Sequence, residues 1–165
     1  LQLIHQNLSR MNLPRYELKA EKSLIIFEFI SDGIKGQIPK IIKFDETTLK
    51  DVYNLAFGYK DSETGEIDDK VVSNNGDSEQ VLATVVAAVY AFTDKYKDVW
   101  VYATGSNVAR TRLYQMGISK YLNEIKHDFN VFGLLDGEWH KYQLNTNYTA
   151  FLVKRKEKLS KHTTL

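Results

Sequence analysis

The stretch Glu79–Lys95, EQVLATVVAAVYAFTDK, limits the possible folds more than any other. Leu82, Val85, Val86, Val89 and Phe92 recur at helical spacing, and Ala83, Ala87, Ala88 and Ala91 fill much of the remainder. A helix that is apolar or small nearly all round must be covered on several sides. No apolar run approaches the ~20 residues that span a bilayer, so the cover must come from the rest of the chain. Asp77 or Ser78 is expected to cap this helix, with Glu79 in its first turn.

The flanking segments read as strands. Ser23–Ile30 is β-branched and aromatic, and Asp32-Gly33 and Lys35-Gly36 supply turn residues. Gln37–Phe44 reads as the return strand, with Pro39 favouring an edge or a strand start. Val52–Tyr59 puts Tyr53, Leu55 and Phe57 on one face. The acidic segment 61–70 reads as a mobile loop, and Ile67–Ser73 as a fourth strand.

Beyond the helix, Val99–Ala103 is apolar on both faces, as in a central strand. Ser106 or Asn107 caps a second helix whose face carries Tyr114, Ile118, Tyr121, Leu122 and Ile125, with Gly117 as a point of kinking. Phe129–Leu134, Trp139–Leu144 and Tyr148–Lys154 are three more strands, the first two joined by the hairpin signal Asp136-Gly137. The order β-β-β-β-α-β-α-β-β, closed by one further strand, predicts an α+β domain with a mixed, largely antiparallel sheet. Residues 1–14 are set aside as an N-terminal extension, with Met11 read as a native start. Residues 15–154 are read as a single domain and 155–165 as a basic tail.

Composition narrows the function classes. With 165 residues the chain is long enough for one domain with a real core. The formal net charge of +1 supplies no global field for nucleic acid or membranes, so such binding needs a local patch. The absence of cysteine removes disulfides, thiolate zinc sites and cysteine nucleophiles together. It also suits the cytoplasm. His5, His127, His140 and His162 are scattered without metal-ligand spacing, and no metal site is expected. Asp68 and Asp69 are adjacent, so along a strand they face opposite sides and make a poor carboxylate pair. Trp100 and Trp139 are read as core residues rather than base-stacking platforms.

The element order resembles that of GNAT-type N-acetyltransferases, which run three antiparallel strands, a helix, a strand, a helix and a final hairpin. The second helix of that family often begins N-x-R-A-x-R-L-Y. Here Asn107-Val108-Ala109-Arg110-Thr111-Arg112-Leu113-Tyr114 resembles it in register, with Arg and Ala exchanged. The resemblance implies an acyl-CoA cofactor lined by Asn75, Gly76 and Ser78 at the first helix start and by Asn107 and Arg110 at the second. It implies Tyr114 as the acid that protonates the departing thiolate. The chain departs from the family at Ser73–Glu79, which has one glycine, no arginine, and the acids Asp77 and Glu79 where phosphates would sit. The stretches FEFISDGIKG, YNLAFG, SNNGDSEQVLATV and ARTRLYQM are also similar to an uncharacterised bacterial family seen mostly in Bacteroidota.

Three functions follow as expectations. The first is an acyl-CoA-dependent N-acyltransferase, or a degenerate relative that keeps the fold and the cofactor. The second is a toxin-type or other module binding RNA or a protein through the basic tail and Arg110 and Arg112. The third is self-association as a homodimer through an edge strand such as Gln37–Phe44. Arg110 and Tyr114 are i,i+4 and share a helix face, whereas Arg112 points away, so the two arginines do not converge on one small ligand.

Overall fold

The computed structural model describes residues 2–3, 14–69 and 73–157. The chain runs through β1 (Gln2–Leu3), β2 (Lys19–Ala20), β3 (Ile26–Gly33), β4 (Gly36–Glu46), β5 (Val52–Lys60) and β6 (Ile67–Asp68). Then come α1 (Ser78–Lys95), β7 (Trp100–Ala103), α2 (Val108–Lys120), α3 (Leu122–Asp128), β8 (Phe129–Leu135), β9 (Glu138–Lys141) and β10 (Ala150–Arg155). All strands join one sheet in the order β1-β2-β3-β4-β5-β7-β10-β8-β9, with β6 paired to β5. The fold is α+β, with a mixed and mostly antiparallel sheet. The parallel pair among the described residues is β5 with β7, joined by the α1 crossover.

Alternation decides which face is buried. Phe27 and Phe29 of β3, Ile42 and Phe44 of β4, and Leu55 and Phe57 of β5 point to the helices, as do Val101 and Ala103 of β7. They pack against Val81, Val85, Ala87, Ala88, Ala91 and Phe92 of α1. Phe44 and Phe92 stack at 4.1 Å between ring centroids. The small residues of α1 let the helix lie close to the sheet, which is why eleven of its residues are buried. A second cluster unites Tyr121, Leu122 and Ile125 with Phe129, Val131, Tyr148 and Phe151.

Several expectations change. The α1 N-cap is Asp77, but its side chain makes no capping bond. Its Oδ2 instead accepts from the Tyr16 hydroxyl at 2.6 Å and from Ser31 Oγ, fixing the helix start to β3. The helix does not break at Gly117. It runs to Lys120, because Leu82 of α1 packs against the bare Gly117 and supports the helix there. The chain turns only at Tyr121 before α3. Of the expected strand 67–73, Ile67 and Asp68 pair with β5, and residues 70–72 lie outside the described residues. The acidic loop starts with an ordered turn, in which Asp61 Oδ1 accepts from the Glu63 and Thr64 backbone N–H groups at 2.8 Å. Leu24 at φ 56° holds Ser23–Ile25 out of β3. β9 stops at Lys141 rather than Leu144, and β10 begins at Ala150 rather than Tyr148.

Two corrections bear on function. Gln37–Phe44 is not an edge strand over most of its length, because Lys40–Phe44 pairs with both β3 and β5, while Gln37–Pro39 pairs with β3 alone among the described residues. Pro39 is tolerated there because pairing with β5 begins only at Lys40. Trp100 and Trp139 are not core residues. They lie on the face away from the helices and belong to neither buried cluster. The extension 1–14 and the tail 155–165 fall mostly outside the described residues.

Candidate functional site

β5 and β7 pair in parallel only over Val52–Leu55 and Trp100–Ala103. β5 continues to Lys60, while the chain after Ala103 turns through Thr104-Gly105-Ser106 into α2. A polar chamber of about 40 Å³ opens where the two strands part, lined by Asn54, Phe57, Asp69, Thr104, Ser106, Arg110 and Tyr114 among others. At about 10–15 Å³ per water, it holds a few waters or a small polar group and excludes a nucleotide.

The turn that builds the chamber is tight. A Cβ on Gly105 would lie 2.2 Å from Thr111 N and 2.4 Å from Arg110 Cβ, so only glycine fits. Asn107 is the α2 N-cap in extended conformation, and its Oδ1 accepts from Arg110 N at 2.9 Å. The side chain expected to meet a cofactor is therefore engaged in capping.

Arg110 is 3% exposed. Its Nε donates to the Asp69 carbonyl at 2.7 Å, and its guanidinium lies 5.0 Å from the Phe57 ring centroid. Among the described residues its Nη2 has no hydrogen-bond partner. Arg112, as its spacing requires, is exposed on the other side of α2. Burial lowers the Arg110 pKa, while Tyr114, Asp69 and Asp68 act to raise it. Tyr114 retains some exposed surface, but its surroundings are dense enough that burial pushes its hydroxyl up to about 12, with Arg110 opposing the change.

Tyr114 also has a second role. It and Leu55 line both the polar chamber and an apolar cavity of about 80 Å³ between α1, α2 and the sheet. Leu82, Val85 and Val89 of α1, Val101 and Ala103 of β7, and Phe151 and Val153 of β10 enclose that cavity. A polar compartment thus abuts an apolar one across the Tyr114 ring and Leu55.

The Ser73–Glu79 turn stands elsewhere and is occupied. Asn75 is buried, and its side chain accepts from Lys35 N at 2.7 Å and donates to Ser31 Oγ at 2.9 Å and the Gly36 carbonyl at 3.0 Å. It staples the β3–β4 hairpin to the helix start. Gly76 adopts φ 76°, which only glycine takes without strain, and Ser78 opens α1. Asn75, Gly76 and Ser78 are absent from the lining of the Arg110 chamber, whereas Arg110 and Tyr114 meet there.

One residue of the neighbourhood escaped the sequence reading. Lys40 is 2% exposed, and its Nζ donates to Ser73 Oγ at 2.8 Å and lies 4.2 Å from the Tyr59 ring centroid. It flanks Phe57 at 5.7 Å, so Phe57 contacts two buried cations. Burial, aided by the Arg110 charge, lowers the Lys40 pKa to about 8, with Asp77 opposing the change. The available signal was phase, since Lys40 occupies the same alternation as the core residues Ile42 and Phe44.

Together, fold and site define an α+β domain with helices on one sheet face and a small two-compartment site where its parallel strands separate. The chain belongs to the family of unknown function DUF6934, whose model matches residues 12–156. Comparison with curated proteins and with solved structures returns no significant match. No helix among the described residues is long and apolar enough to cross a membrane. Among the same residues, no three His, Cys, Asp or Glu side chains cluster in a way that could hold a metal ion.

Proposed function

We propose that this chain is a GNAT-like domain that binds an acyl thioester such as acetyl-CoA, as a relative of the N-acyltransferases in which binding outlasts efficient chemistry. The observation that carries the reading is the pairing of the two compartments across Tyr114. An acyl chain suits the apolar cavity. The thioester carbonyl suits the chamber beside the buried Arg110 guanidinium, whose Nη2 has no partner among the described residues. The α1 crossover between parallel strands, followed by Asn107, Arg110 and Tyr114 at the next helix start, supports the same reading.

Magnitudes favour binding over turnover. A phenol near 12 stays protonated at neutral pH, but it is more basic than a thiolate, whose ordinary pKa is about 8.5. Proton transfer from Tyr114 to the departing sulfur is therefore uphill. The Asn75–Ser78 turn is engaged in holding the hairpin, so the nucleotide end of CoA would gain little there.

Thermal unfolding with acetyl-CoA and longer acyl-CoA is the test. A ligand held only by the folded state at a hundred times its Kd adds about 2.7 kcal/mol, which raises Tm by several degrees. Arg110→Met should remove the rise. No rise at millimolar concentration with any chain length would refute the proposal.

A further inference from the structure

All three helices pack on one face of the sheet. The opposite face, over β7, β10, β8 and β9, is covered by no helix among the described residues. Register places Tyr102 and Phe132 on either side of Leu152, Lys154 beside Trp100, and Trp139 opposite Leu134. Trp100, Tyr102, Phe132 and Trp139 therefore share one surface across the four strands. Trp100 meets Phe132 at 5.8 Å and Tyr102 meets Trp139 edge-on at 6.2 Å between ring centroids. The first three are half-buried by one another, and Trp139 is 41% exposed. A continuous aromatic surface of this kind facing water marks a place of contact.

The surface continues into a groove. Where pairing of β9 with β8 ends at Lys141, a groove of about 450 Å³ opens at the edge of β8, with Leu122 and Lys126 of α3 on its far wall. Phe132 and Lys141 belong to both the aromatic surface and the groove. Lys126 and Lys156 complete a basic wall, and no Asp or Glu lines the groove. Asp128, nearby in sequence, turns its carboxylate inward to accept from the Tyr90 hydroxyl at 2.7 Å. Lys154 lies over Trp100 at 5.4 Å.

From this we infer that the helix-free sheet face, with the groove at its edge, binds single-stranded nucleic acid, its bases stacking on the aromatic row and its phosphates passing Lys141 to reach Lys126 and Lys156 where β8 meets α3. Rings accept the faces of any base, and a groove lined by lysines with no Asp or Glu in its lining complements a phosphate chain. A second copy docked face to face would gather Lys141 and Lys154 of both copies into one interface, so charge argues against self-association here. This inference is independent of the acyl-thioester reading, whose site lies on the other side of the sheet.

The chain has two tryptophans, Trp100 and Trp139, and both lie on this face. Tryptophan emission therefore reports on it directly. A single-stranded oligonucleotide of about twelve nucleotides should quench that emission, whereas heparin should not. Trp139→Ala should weaken oligonucleotide binding about tenfold and Trp139→Phe should retain most of it. Changing Lys126, Lys141 and Lys156 to alanine should reduce the slope of log K against log salt by about 2. No quenching, equal quenching by heparin, or binding indifferent to Trp139→Ala would each overturn the inference. So would a dimer, seen by sedimentation, that Trp139→Ala dissociates.

Discussion

Lys40 offers the sharpest test of the physical reasoning. Its ammonium is buried against Phe57 and Tyr59 with one hydrogen bond among the described residues, to Ser73 Oγ. Burial and the Arg110 charge lower its pKa from 10.5 to about 8. In the folded protein the lysine loses its proton first, so between pH 8 and 10.5 the unfolded chain binds more protons. Stability therefore rises with pH across that window and is flat below it. At about 1.4 kcal/mol per pH unit, the gain between pH 8 and 10 is about 2–3 kcal/mol. Above pH 10 the tyrosines take over with the opposite sign. Tyr53, Tyr114 and Tyr142 have raised pKa values, so the unfolded chain ionises first and stability falls. The assay is urea unfolding of the natural chain and Lys40→Met at intervals from pH 6.5 to 10. The stability difference should change by about 2–3 kcal/mol in favour of the natural chain as pH rises. Parallel pH curves for the two proteins would show that Lys40 is not held in a desolvated, positively charged neighbourhood.

Two further outcomes are expected of the same fold. Asn107→Ala removes the α2 cap and should cost about 1 kcal/mol in calorimetry, leaving Arg110 N without its acceptor. Gly133→Ala would place a Cβ 2.3 Å from the Tyr148 ring, and should cost about 1–3 kcal/mol as β8 and that ring separate.

Much of the fold was legible in the chain itself. The Ala- and Val-rich α1, the central β7 and the Asp136-Gly137 hairpin follow from periodicity and turn chemistry. The hairpin's φ values of 50° and 79° are those such a turn requires. Periodicity also separated Arg110 from Arg112 and joined Arg110 to Tyr114. Asn75 and Asp77 were harder, because a polar turn before a helix looks the same whether it greets a ligand or ties down a hairpin. Only the approach of Ser31, Lys35 and Tyr16 from distant parts of the chain assigns their bonds.

The tryptophans mark the boundary between the two kinds of information. A strand apolar on both faces, such as Val99–Ala103, shows that each face meets something apolar, and sequence order does not say what. Local pattern determined most of the elements, their faces and a cap at Ser106 or Asn107, because those depend on residues a few positions apart. Tertiary structure decided that α1, α2 and α3 share one side of the sheet. It thereby buried Arg110, enclosed a cavity behind Tyr114 and left Trp100 and Trp139 facing outward. The hand of each crossover selects the side a helix covers, and that choice depends on strand pairings between segments far apart in the chain.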